Sequence, residues 1–265
     1  MSSKAAQVVA RVAFFAASNV VINSQPASLE PCLFAQSFDE LSRSADRAPS
    51  ILSLPHGADP GATLSRRAGD GLVSYTTSAA APVLARIVPH LPSLASHAIV
   101  LHLAVSGDLA PVLLLRSSVP FFIYSDTPQQ AHDHALLASR LAKAENKLVV
   151  HAFRTSNDDS DADVEEVADT DIQSFIVAAS SKANGVPNGL TNGHANGHAN
   201  GHDHHEHRDN EKGARAELLK AYEAAGAATL KLVGRAQPAF THTGSSDSKT
   251  TLLVLGTFIC RPGDL

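Results

Sequence analysis

Two rhythms of polar and apolar positions alternate along residues 1–157. Val8 to Ala17 carries apolar residues at helical spacing, and Val20-Val21-Ile22 follows as a short buried strand closed by a turn around Pro26. Ile51-Leu52-Ser53-Leu54 reads as a second strand ended by Pro55, with Gly57, Pro60 and Gly61 in a loop. Leu72-Val73-Ser74-Tyr75-Thr76 reads as a third strand, and Ala80 to Leu91 as a helix with Pro82 in its first turn. Ala98 to Ala104 and Phe121-Phe122-Ile123-Tyr124 are apolar runs of the kind found in strands buried on both faces of a parallel sheet. The strongest helix signal comes next. Ser125 or Asp126 can cap, Pro128 sits in the first turn, and Ala131, Ala135, Leu136, Ala138, Leu141 and Ala142 recur at helical spacing. Lys143 and Lys147 lie where a helix dipole favours cations, and Leu148-Val149-Val150 opens another strand. Strand, helix, strand in this order predicts an α/β fold on a parallel, doubly wound sheet.

Beyond Arg154 the pattern breaks. Residues 158–171 hold eight acids and no base, a run expected to be a solvated connector. The central glycine of a calcium loop is missing from it. Asn184 to Gly213 repeats Asn-Gly-His and holds six of the fourteen histidines, with too few apolar residues to offset chain ordering. Ala216 to Ala228 is expected to be helical, and Leu252-Leu253-Val254-Leu255-Gly256 to be a buried strand. The expected organisation is an α/β domain over 1–180, a disordered insertion over 181–213, and over 214–265 a helix plus the first strand of a truncated second domain.

Composition narrows the function classes. The 265 residues carry a net charge of −5, which arises within the acidic run and argues against a nucleic-acid partner. Cys32 and Cys260 stand far apart, so neither a disulfide scaffold nor a cysteine metal site is expected. No apolar run is long enough to span a membrane. Lys4, Arg11 and the run Val12 to Ala17 read as a buried first helix rather than a leader, so a cytoplasmic location is expected. Walker, GxGxxG, GxSxG and HExxH patterns are all missing. His102 and His151 fall in apolar strands, where each can line the carboxyl edge of a sheet or form a hydrogen-bonded core histidine. His132, Asp133 and His134 share one helix, but adjacent helical residues diverge and are not expected to form one site unaided.

Two segments carry a family resemblance: Phe121 to Ala138, containing Gln129, Ala131, His132, Asp133, Ala135 and Leu136, and Val150 to Asn157, containing Phe153, Arg154, Thr155 and Ser156. They resemble the N-terminal domain of pyruvate:ferredoxin oxidoreductases, in which a helix beginning like SVQEAHDLAL is followed at the same spacing by DGFRTSHE. Tyr75-Thr76-Thr77-Ser78 looks like that family's TFTAS strand end, and Ala239 to Gly256 like the start of its second domain. The resemblance implies a thiamine-diphosphate-binding-like sheet. It makes Gln129, His132, Asp133 and Phe153 motif residues of structural character, and Arg154, Thr155 and Ser156 the candidates for holding a substrate anion, since guanidinium pairs with carboxylate in two places.

The departures are as informative. Ser53 to Asp59 stands where the family's SEAGA segment supplies the glutamate that activates thiamine diphosphate, and it holds no glutamate. Val105-Ser106 replaces the family's substrate-binding arginine, and Ile22 to Ser28 lacks the threonine of the YPITPSS loop. Iron–sulfur cysteines are missing as well. Thiamine chemistry is therefore not expected. This worn form is similar to the N-terminal region of the fungal assimilatory NADPH–sulfite reductase flavoprotein subunit. That resemblance implies a noncatalytic scaffold touching another sulfite reductase subunit or module. It implies that no cofactor is bound by this chain, that FAD and NADPH belong to the full-length parent, and that the chain is truncated before those modules. A fragment of a thiamine-dependent 2-oxoacid oxidoreductase, and an adaptor binding through the acidic and histidine-rich segments, are the alternatives.

Overall fold

The computed structural model describes residues 3–24, 34–45, 48–156, 160–180 and 204–237, with backbone alone at 180 and over 204–212. Six strands form one all-parallel sheet: β1 (Val20–Ser24), β2 (Ser50–Leu54), β3 (Val73–Ser78), β4 (Ile99–Val105), β5 (Phe121–Ser125) and β6 (Leu148–Arg154). Their spatial order is β2-β1-β3-β4-β6-β5. The fold is α/β, as the continuous apolar runs predict. β4 is buried over its whole length and β6 over all but Arg154, because helices cover both faces of the sheet.

One layer holds α1 (Lys4–Ala16), α2 (Ala35–Ser44), α7 (Pro128–Glu145), α8 (Asp169–Ser180) and α9 (His204–Val233). The other holds α3 (Pro60–Arg67), α4 (Ala81–Ile87), α5 (Leu91–Leu94) and α6 (Ala110–Leu113). A 3-10 turn over Val88–His90 joins α4 to α5, so the helix expected from Ala80 to Leu91 is broken where Pro89 removes a backbone donor. The helix α1 is core on nearly every side, with Ala5, Val9, Ala10, Val12 and Phe14 fully buried between the sheet and α2, α7 and α8. None of the described helices is long and apolar enough to cross a membrane.

Three expectations change. Pro60 and Gly61 open a helix rather than a loop: Asp59 caps α3 by accepting the Ala62 N–H at 3.0 Å, and proline suits the first helical position. Within the described part of the acidic run, residues 160–171, the chain is docked at Glu166 and Asp169 rather than wholly solvated. Glu166 accepts Lys4 Nζ at 2.8 Å and Arg11 Nη1 at 2.7 Å, Asp169 accepts Arg11 Nε at 2.7 Å, and Asp169 and Asp171 sit in the first turn of α8, where the dipole favours them. Hydrogen bonds from Lys4 and Arg11 outweigh burial and hold the Glu166 carboxyl below its ordinary value. Finally, α9 begins at His204, inside the span read as a disordered insertion. Residues 181–203 and the strand expected at 252–256 lie outside the described residues.

Candidate functional site

The carboxyl ends of β1, β2, β3 and β4 meet at a cleft of about 470 Å³, a size ordinary for small-molecule sites. It lies where the strand order reverses: the chain leaves β1 for α2 in one layer and leaves β3 for α4 in the other. Open α/β sheets take ligands at such points. Ser24 ends β1, Pro55 to Ala58 follow β2, Ser78 ends β3, and Val105 ends β4 with Ser106 to Asp108 after it. All three stretches at which the resemblance loses its catalytic groups therefore reach this one cleft.

Several polar groups line it. Arg86, from α4, donates Nη1–H to the Ala58 carbonyl at 3.1 Å. Asp108 is turned inward on its own chain, accepting the Ala110 N–H at 2.8 Å. Ser24 Oγ is 2.6 Å from the hydroxyl of Tyr75, a fully buried side chain. Burial pushes the Tyr75 phenol up to about 12, against hydrogen bonds with Ser24 and Thr77, so it stays neutral and keeps a proton to share with Ser24. Asp59, the one acid in the stretch 53–59, spends its carboxylate on the α3 cap. Arg86 is not singled out in the sequence, and Tyr75 stands there only as part of a strand end. The available signal was positional: Arg86 is the one cation on the helix after the third strand, and Tyr75 falls on the opposite face from Thr76 by the two-residue period of a strand.

The motif residues of α7 form a second cluster, away from the cleft. Asp133 is 1% exposed and accepts Arg235 Nε at 2.7 Å and Arg235 Nη2 at 2.9 Å, a two-point guanidinium pair. Gln129 Nε2 and Gln237 Nε2 also donate to it, at 3.1 and 3.2 Å. The Val167 N–H donates to His132 Nε2 at 3.2 Å, so the proton of a neutral His132 sits on Nδ1 and goes to Asp133 at 2.9 Å. Gln129 closes the cluster by accepting the Glu165 N–H at 2.9 Å. His132 and Asp133 thus do share one site, because a backbone amide and a distant arginine complete it. Burial works to raise the Asp133 carboxyl, but hydrogen bonds from Arg235 and His132 hold it below its ordinary value.

A buried polar row crosses the helix-facing side of the sheet that α1 and α7 cover. Register places Asn23, Thr76, His102 and His151 side by side on β1, β3, β4 and β6. Thr76 Oγ1 donates to Asn23 Oδ1 at 3.2 Å, and His102 Nδ1 lies 3.1 Å from His151 Nδ1. His151 Nε2 lies 2.9 Å from Ser125 Oγ, which lies 2.8 Å from His134 Nδ1 on α7. His102 Nε2 has no hydrogen-bond partner among the described residues. Burial lowers His102 to about 3 and His151 well below its ordinary value, so both imidazoles are neutral. They are core histidines and do not line the cleft.

The anion candidates lie past the end of β6. Arg154 is exposed, with Nη1 at 3.5 Å from Asp126 Oδ1. The Thr155 N–H and Oγ1 both go to the Val105 carbonyl, at 2.8 and 3.3 Å, which ties the loop after β6 to the end of β4. Ser156 follows on that loop, whereas Phe153 is fully buried, edge-on to Phe34.

No protein-family model matches the chain, and a search of curated proteins finds no match. Among solved structures it is similar to a 2-oxoglutarate:ferredoxin oxidoreductase from Magnetococcus marinus with 2-oxoglutarate, coenzyme A and succinyl-CoA bound. The TM-score is 0.42 and the identity 10%, over 58% of this chain and 29% of that one. The chain spans under a third of that oxidoreductase's length.

Proposed function

We propose that this chain is a noncatalytic, pyruvate-oxidoreductase-like scaffold domain that serves an NADPH–sulfite reductase flavoprotein in sulfate assimilation. One observation carries the reading: Gln129, His132 and Asp133, the most specific part of the sequence resemblance, are consumed by an internal clamp on residues 165–167 and on Arg235 and Gln237. The cleft supports it. The residues there do not fit thiamine diphosphate, since the one acid of the stretch 53–59 caps a helix and the acid that lines the cleft, Asp108, accepts the Ala110 N–H of its own loop. Arg154, the anion candidate, faces Asp126 instead of standing as an open cation. The FAD and NADPH chemistry of such a subunit is assigned to its other modules, and the partner to the other sulfite reductase subunit.

The test has two arms. Calorimetry of the full chain with thiamine diphosphate and Mg²⁺ is expected to give no binding, and stoichiometric binding overturns the noncatalytic reading. Size-exclusion chromatography with light scattering, on a mixture with the other sulfite reductase subunit, is expected to give a stable complex. Two separate species overturn the assignment to that enzyme.

A further inference from the structure

The buried row and the clamp on α7 meet at Gln237, just past the end of α9. The Gln237 amide nitrogen is engaged, donating to Asp133 Oδ2 at 3.2 Å and to the Arg235 carbonyl at 3.3 Å. Gln237 also hydrogen-bonds His134 in the sense that favours a protonated ring, so its oxygen accepts an N–H there. His134 Nδ1 faces Ser125 Oγ at 2.8 Å, which leaves Nε2 for Gln237. From Ser125 the row runs inward to His151 Nε2 at 2.9 Å, and from His151 Nδ1 to His102 Nδ1 at 3.1 Å. Asp133, Gln237, His134, Ser125, His151 and His102 therefore form one unbroken line from an ionised carboxylate to the middle of the sheet, and its last three members are fully buried.

A neutral imidazole has one donor nitrogen and one acceptor nitrogen, and a hydroxyl has one proton. The direction of any one bond thus fixes the others, and the line has two arrangements. Both ends select the same one. Asp133 only accepts, which turns the Gln237 oxygen toward His134. At the far end His102 Nε2 has no partner among the described residues, and buried acceptors go unpaired more often than buried N–H groups. The protons then sit on His102 Nδ1, His151 Nε2, Ser125 Oγ and His134 Nε2, each directed toward Asp133.

We propose that this line is a two-state hydrogen-bond relay, through which the side chain that Gln237 presents to His134 sets the tautomers of His151 and His102 inside the sheet. Whatever takes Gln237 off the clamp at the end of α9 is then registered in the core. The inference goes beyond the scaffold role, and neither arm of that role's test bears on it.

The experiment is long-range ¹H–¹⁵N correlation of the full chain, labelled at histidine, at pH 7, which separates protonated from bare ring nitrogens. The natural sequence is expected to show His102 protonated at Nδ1 and His151 at Nε2, each as a single tautomer. Gln237→Lys offers His134 donors only, which turns the line round. It is expected to shift the ratio of the two His102 tautomers toward Nε2–H by roughly tenfold, within the range of couplings between sites. Lys220→Gln, on an exposed face of α9, is expected to leave both tautomers unchanged. The Tyr124 main chain is the competing acceptor at His134. A proton found on His102 Nε2 in the natural sequence shows that it wins, and overturns the proposal. So do tautomers mixed at both histidines before any substitution, a His102 signal that Gln237→Lys leaves in place, or an equal change in Lys220→Gln.

Discussion

Lowering the pH from 7 to 5 is expected to destabilise the fold by about 4 kcal/mol through His102 and His151. Both imidazoles are fully buried and neutral, in contact with each other and, through Ser125, with His134. In the unfolded chain each returns to about 6.5. Below that value the unfolded state binds protons that the folded state refuses, so stability falls as the pH falls. For a group with a folded value near 3, the loss between pH 7 and pH 5 is about 1.9 kcal/mol. It does not depend on how far below pH 5 the folded value lies, since the group is already uncharged throughout the window. His134 is shifted in the same direction by burial and adds to the effect. The depressed carboxyls Asp133 and Glu166 do not confuse the measurement, because their contribution is lost only around and below their ordinary values of 3.8 and 4.5.

The row is surrounded almost wholly by uncharged side chains. Thr76 and Asn23 face it from β3 and β1, Phe153 is the aromatic neighbour of His151, and Asp133 is the one acid acting on His134. The assay is urea unfolding followed by far-UV circular dichroism at pH 7, 6 and 5. His102→Gln is expected to remove about 1.9 kcal/mol of the loss between pH 7 and pH 5. Ser125→Ala is expected to lower stability at pH 7 by about 1 kcal/mol with the slope unchanged, because it removes hydrogen bonds without removing a titrating group. A loss below about 1 kcal/mol between pH 7 and pH 5, or an undiminished slope in His102→Gln, refutes the reasoning.

The clamp gives a second prediction: Arg235→Ala leaves Asp133 with Gln129, Gln237 and His132 as donors and is expected to cost about 2 kcal/mol, with faster amide exchange at Val167. At Gly61 an added Cβ would come within 2.2 Å of the His90 ring and 2.8 Å of the Arg86 carbonyl, so Gly61→Ala is expected to cost about 1–3 kcal/mol in urea unfolding. His90→Ala should recover only part of that loss, since the carbonyl remains. Asn146 ends α7 at φ 50° and bonds both the Ala98 N–H and the Ser96 carbonyl. Asn146→Gly is expected to cost about 1 kcal/mol and Asn146→Ala more, because alanine loses the bonds and resists the left-handed conformation.

The strands and α7 were legible because a sheet covered on both faces leaves uninterrupted apolar runs, and because Pro128 and the alanine stripe mark a helix without competition. Elements that depend on distant residues were not. The Pro60-Gly61 pair reads locally as a turn, and becomes a helix start only because Asp59 caps it and His90 fills the space where a side chain would stand. Glu166 reads as one solvated acid among eight until Lys4 and Arg11, more than 150 residues away in sequence, come to face it. The α7 cluster shows the same division. Spacing marked Gln129, His132 and Asp133, but their partners are a backbone N–H at Val167, which no side-chain pattern encodes, and an arginine 102 residues further on.

The cleft was hidden for a topological reason that also bears on what the chain does. Ser24, the loop after Leu54 and the loop after Val105 look like three separate departures along the sequence. The order β2-β1-β3-β4 sets them side by side, so they are one change at one site. The clamp around Asp133 is a different physical case. Removing Arg235 there leaves a buried carboxylate short of its charged donor and costs the fold about 2 kcal/mol. Substituting a residue on the open rim of the cleft, such as His56 or Ser106, leaves no buried group unsatisfied and costs the fold little. A chain selected only to hold its shape would therefore keep the clamp and let the rim change.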